Sequence, residues 1–293
     1  MKNPKRSESA PFGNVFYPHH DTVCTDAFSR FLGEYHANLD LFFFVIRLVA
    51  KADDARVTAS KALLVAESDP VKRAQYQKNI AQPDAMLDQL KKHSTVQSRN
   101  LTNGIVNAFQ RYFSAIINSA ASKRPEIISS SQTIKIEDVL RFKRHKDLIA
   151  FIIDRKINEL SYGGLVDMEK YFDDRLGVRM FPNNRQRELL RLFVEVRNIN
   201  VHNGGIVNDL FANRVGTVEG FAYTKGKTFH VDMDALVTLS ENAMQVAMHI
   251  DATVGTKFGL LRKTHRSWKR PQKVPIRVKS EILNDEVAPE ENL

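Results

Sequence analysis

The chain has 293 residues, 43% apolar and 26% charged, an ordinary mixture for a soluble chain able to bury a core. Its one cysteine, Cys24, excludes an internal disulfide framework and a zinc site built on a cysteine cluster. The net charge of +9 is uneven: residues 262–279 carry eight Lys/Arg and no acid, and the last fourteen residues carry five acids. A polyanionic partner suits that excess, since phosphates attract cations whatever their sequence.

The opening MKNPKRSESAPFGN is polar and broken by prolines, so no signal peptide is expected. With the lone cysteine it points to a cytoplasmic setting. Thr25 or Asp26 can cap a long amphipathic helix whose inner face is Phe28, Phe31, Leu32, Tyr35, Leu39, Phe42, Phe43, Ile46 and Val49. Its greasiest run, residues 39–50, is too short to span a bilayer and is predicted to be a core helix. A separate helix is expected over 53–66, ended by Ser68-Asp69-Pro70, with shorter ones over 71–80 and 83–92. Residues 96–121 read as a helix with Leu101, Ile105, Phe109, Tyr112 and Ile116 on one side, and 123–133 as a linker.

Helices over 137–142, 147–160 and 165–176 follow, the last two separated by Tyr162-Gly163-Gly164. Pro182-Asn183-Asn184 starts the next helix. Residues 217–223 and 228–231 flank Lys225-Gly226-Lys227 as a small hairpin, and 233–257 form a final helix. The expected fold is an all-α bundle with one small β-hairpin. It divides into an N-terminal helical region (1–95), the main bundle (96–258) and a basic then acidic tail (259–293).

Residues 194–205, VEVRNINVHNGG, stand out. The run alternates like a strand, but RQRELLRLF before it is helical and offers no break. On a helix, Arg197 falls at ~80° from Leu189, inside an apolar arc, while Glu195 and Asn198 lie on the opposite side. A guanidinium on a buried face needs a carboxylate, a phosphate-sized anion or a polar seam between subunits. His202 falls near the helix end, which Gly204-Gly205 terminate, and Asn198 is one turn before it. Imidazole can exchange protons with a ribose 2′-OH and a departing 5′-oxygen; guanidinium can hold the charged phosphate between them. One such segment supplies a single imidazole, and a two-fold dimer would supply two.

Arg197-Asn198-Ile199-Asn200-Val201-His202 resembles the signature of HEPN ribonucleases, an Arg, a polar residue and then a His at a helix end. The surrounding VEVRNINVHNGGIV looks like the version in bacterial toxin and phage-defence proteins, and the resemblance extends over residues 96–257. It implies a HEPN-like helical bundle acting as a dimeric, metal-independent endoribonuclease without cofactor, giving 2′,3′-cyclic phosphate ends and restrained by an antitoxin protein. His202 would be the general base or acid, Arg197 the phosphate clamp and Asn198 an orienting residue.

For RNA binding, Lys143, Arg144 and Lys146 form one basic run, and Arg266, Trp268, Lys269 and Arg270 combine cations with a stacking ring. His19-His20, Asp21 and Cys24 lack a second cluster at zinc spacing, so no metal site is expected. Two alternatives stand beside the nuclease. One is a non-catalytic module that binds RNA or protein; the other is a structural helix with Arg197 bonded to Glu169 or Asp154.

Overall fold

The computed structural model describes residues 23–128 and 136–262, which are predominantly helical. Helix α1 (Asp26–Ala66) starts at Thr25, whose hydroxyl accepts from the Phe28 N–H at 3.1 Å. Thr25 is itself held by Asp251, which accepts from its backbone N–H at 2.9 Å and from its hydroxyl. The first half of α1 buries Phe28, Phe31, Leu32, Tyr35 and Leu39 against α4 (Ser94–Lys123). Phe31 meets Phe109 edge-on with centroids 6.1 Å apart, one of several aromatic contacts across this seam. At Gly104 an added Cβ would meet the Asn38 side-chain amide, which would have to shift to admit it.

Two expectations for α1 need correction. No break separates 50 from 53; Lys51 and Ala52 are good helix formers, and neither Gly nor Pro interrupts them. The run over 39–50 is also not a core helix throughout. Leu41, Phe44 and Leu48 are 65%, 56% and 56% exposed, because α1 outruns the body and is covered on only part of its circumference.

That covering comes from α2 (Pro70–Ala81) and α3 (Ala85–Lys92), which bury no residue of their own. A polar knot fastens them instead. The buried Asp53 carboxylate accepts from the N–H groups of Met86 (3.1 Å) and Leu87 (3.0 Å), at the start of α3. Arg56 bonds Asp53 and donates to the carbonyls of Asn79, near the end of α2, and of Gln82 and Pro83 in the α2–α3 turn. Burial raises the Asp53 carboxyl, but the two backbone donors and Arg56 outweigh it and leave it below its ordinary 3.8.

The expected linker begins as a packed 3-10 turn, Pro125–Ile128, with Ile127 and Ile128 buried; 129–133 lie outside the described residues. Helices α5 (Ile136–Leu140), α6 (His145–Gly163) and α7 (Leu165–Tyr171) follow. α7 runs on into a π-helical turn, Phe172–Leu176, closed by Gly177 at φ +57°. Helix α8 (Asn184–His202), the short α9 (Asp209–Val215) and α10 (Met233–Phe258) complete the body, with α4 packed against α1, α8 and α10. The buried side chains form one cluster from Cys24 to Phe258, so the first half of α1 shares the core of the residues after 95.

The hairpin pairs differently from expectation. Among the described residues no backbone hydrogen bond joins 217–223 to 228–231. Gly220, at φ +80°, turns the chain back on itself, and the Phe221 N–H bonds the Val218 carbonyl. Residues 226–229 pair instead with the exit of α8: Val207 N–H to Lys227 O at 3.0 Å, and Phe229 N–H to Gly205 O at 2.9 Å. The local turn still forms, with the Lys227 N–H on the Thr224 carbonyl, and Phe211, Tyr223 and Phe229 pack together beside it.

Candidate functional site

Asn183 caps α8 by accepting from the Gln186 N–H at 2.9 Å, and the helix runs unbroken through Arg197 to His202. Its last turn closes when the Ile199 carbonyl accepts from the N–H groups of Asn203 and Gly205, both at 2.9 Å. Gly204 and Gly205 take φ of +60° and +86°, a region closed to most side chains, so the two glycines are what the exit requires. Arg99 of α4 donates to the Gly204 carbonyl at 3.2 Å while residue 229 holds the Gly205 carbonyl. The exposed His202 thus stands on a helix end pinned from two sides.

Arg197 is half-buried, and its partners are amides. Its Nε donates to Asn107 Oδ1 of α4 at 3.0 Å and its Nη1 to Asn198 Oδ1 at 3.2 Å. The alternative pairing with Glu169 or Asp154 is not what holds it: the Glu169 carboxylate is taken by Arg187, and Asp154 is exposed. Arg197 lies instead in a polar seam inside one chain, between α4 and α8. Neutral partners fix its direction without cancelling its charge.

The network extends beyond the residues singled out from sequence. Asn198 Nδ2 donates to Glu195 Oε2 at 3.2 Å, rather than to His202. Arg214 of α9 donates through Nη1 to Glu195 Oε1, also at 3.2 Å. Glu195, read on the helical wheel as lying away from the buried face, is only 4% exposed. The wheel missed α9, which packs over that side and brings Arg214 as counter-charge. Asn107 had a visible signal, since Arg99, Asn103 and Asn107 recur every four residues along α4.

These side chains converge on a cavity of about 370 Å³. Arg197, Asn198 and His202 line it with Glu195 and Arg214; its apolar wall comes from α4, α7 and α9, including Phe113, Met168 and Leu210. Two arginines and one glutamate give it a cationic bias, with an imidazole at its rim.

The other expected RNA contacts are not gathered here. Lys143, Arg144 and Lys146 are exposed around the start of α6, where Arg144 pairs with Asp147 at 2.9 Å, and none lines the cavity. Arg266, Trp268, Lys269 and Arg270 lie outside the described residues, as do His19, His20 and Asp21. Among the described residues no group of three or more His, Cys, Asp or Glu is placed to hold a metal ion, and no helix is long and apolar enough to cross a membrane. No family model, curated protein or solved structure matches this chain.

Proposed function

We propose that this chain is a HEPN-type endoribonuclease that cuts RNA by attack of a 2′-OH on the adjacent phosphate, without a metal ion. The observation that carries it is one cavity lined by both Arg197 and His202, with the guanidinium steered by amides instead of sealed against a carboxylate. His202 takes the proton from the 2′-OH as its oxygen bonds to phosphorus. The phosphorus–5′-oxygen bond breaks, and a second imidazole gives that oxygen a proton. The products are a 2′,3′-cyclic phosphate and a 5′-hydroxyl. Arg197 holds the charge that builds on the non-bridging oxygens.

A homodimer facing two α8 ends supplies the second imidazole. Exposed apolar side chains near the cavity support such contact: Val201 beside His202, Ile206 after the turn, Leu210 on the wall, and Val166 next to Leu165. The role as a toxin or antiphage-defence effector, and with it an antitoxin partner, rests on the resemblance of residues 197–202.

Incubation with RNA in EDTA tests the chemistry. Wild type cuts and leaves 5′-hydroxyl ends, whereas His202→Ala does not. Cutting that persists in the variant, or disappears on chelation, rejects the mechanism. Wild type that holds RNA and never cuts it is the binding module instead.

A further inference from the structure

The part of α1 that outruns the body carries an apolar strip on its open side. From Leu41 to Ala66, alternating steps of four and three residues meet only Leu, Val and Ala, the spacing of a coiled-coil seam. At ~100° per residue the strip lies roughly opposite Asp53 and Ser60, which receive α3 and α2. It is therefore not the face on which the arm packs its own helices. Leu41 and Leu48 are 65% and 56% exposed, and Ala55, Ala59 and Ala62 are exposed as well. The strip follows ~37 Å of helix, a long apolar surface to leave against water.

Its two halves differ in bulk. Leu41, Val45 and Leu48 form the half nearer the body, with Phe44 beside them; the half beyond is all alanine. A second copy laid antiparallel and centred at residue 50 would put Leu41 on the partner's Ala59. Val45 would meet the partner's Ala55, and Leu48 the partner's Ala52, with the reverse contacts following from two-fold symmetry. Every layer then joins one large side chain to one small one, and the helices approach evenly along their length. A parallel copy would stack leucine on leucine at one end and alanine on alanine at the other, and could not close evenly.

Charge selects the same register. Arg47 and Asp54 are both exposed on one flank of the strip, in no salt bridge among the described residues. With the centre at residue 50, Arg47 stands across from the partner's Asp54, and Asp54 across from the partner's Arg47. Between exposed charges this sets direction and register more than it adds affinity. Lys51, on the same flank, comes nearest its own copy, and its long stem lets the ammonium turn into solvent.

We infer that α1 is a self-association arm, through which two copies of this chain pair antiparallel along the strip from Leu41 to Ala59. The strip shares no residue with the cavity lining, so this contact is independent of the proposed cleavage and of the dimer proposed at α8. A chain that makes both contacts assembles beyond a dimer.

Sedimentation velocity on the full chain tests the arm. At micromolar concentration Leu48→Glu, a change at an exposed position, halves the assembled mass and leaves the helix content by circular dichroism as in wild type. Single cysteines then read the direction, since Cys24 is buried. Lys51→Cys, beside the two-fold axis, is joined to its copy by a short bis-maleimide. Ala62→Cys, ~36 Å from its copy along the antiparallel pair, is not. Linkage at both positions would overturn the antiparallel pairing. Linkage at neither, or a mass that Leu48→Glu does not change, would overturn the arm itself and leave the strip to another segment of this chain or to a different protein. A dimer held at α8 alone gives that same negative result, so the two contacts are told apart whatever becomes of RNA cleavage.

Discussion

The molecule contains two arginine-centred polar knots that use the same ingredients to opposite ends. In the α1–α3 arm, Arg56 and Asp53 face each other, and both spend their remaining capacity on backbone: carbonyls near the end of α2 and in the α2–α3 turn, and N–H groups opening α3. In the body, Arg197 is held by two amides and lines a cavity, while the nearby carboxylate, Glu195, is committed to Asn198 and Arg214. A cation whose partners are a carboxylate and main-chain carbonyls is part of the scaffold. A cation aimed by neutral side chains keeps its charge for something that arrives from solution.

The largest effect expected from breaking this contrast is at Arg197. Arg197→Ala should lower RNA cleavage about 10²–10³-fold, the usual loss when a transition-state charge donor is removed. The melting temperature should barely move, because no buried carboxylate is left unpaired. A variant that loses cleavage only by unfolding would place Arg197 with the scaffold.

Asp53→Asn should give the reverse pattern. Cleavage per folded molecule is retained, whereas the amides of Met86 and Leu87 exchange hydrogen faster and the melting temperature falls. The pH dependence sharpens the point. The folded carboxyl titrates below its ordinary 3.8, so its contribution is complete above that value and disappears as pH falls through the lower folded pKa. The melting-temperature gap between wild type and Asp53→Asn should therefore be full at pH 7 and close below pH 3.8. A gap that stays constant to lower pH would remove the ionised carboxylate from the account of the arm.

The smallest expected effect is at Asn107. Asn107→Ala removes one neutral hydrogen bond from Arg197 and should cost about fivefold in kcat, with KM nearly unchanged. Equal effects of Asn107→Ala and Arg197→Ala would mean that the amide does more than aim the guanidinium.

Much of this contrast was legible along the chain, but unevenly. The caps at Thr25 and Asn183 are short-range signals, and each accepts from a backbone N–H three residues on. The end of α8 at Gly204-Gly205 was equally plain, and with it the Arg–His spacing. Glu195 was misplaced because a helical wheel assumes one buried face, whereas α9 closes the other. The expected hairpin of 217–223 with 228–231 rested on a nearby turn alone, whereas Lys227 and Phe229 bond to residues 205–207, some twenty residues earlier, where Phe211 meets Phe229. Leu41, Phe44 and Leu48 showed the opposite failure: apolar residues in sequence, left exposed because α1 is longer than the body it packs on.

By itself the sequence determined the caps that open α1 and α8 and the glycines that end α8, and with them which two side chains of α8 stand five residues apart near its terminus, since these depend on contacts within a turn or two. Only the tertiary structure decided what those side chains face. Arg197 meets an amide 90 residues away, and the cavity beside it is assembled from α4, α7, α8 and α9. Such partners are chosen by how helices pack, not by the helix that carries the charge.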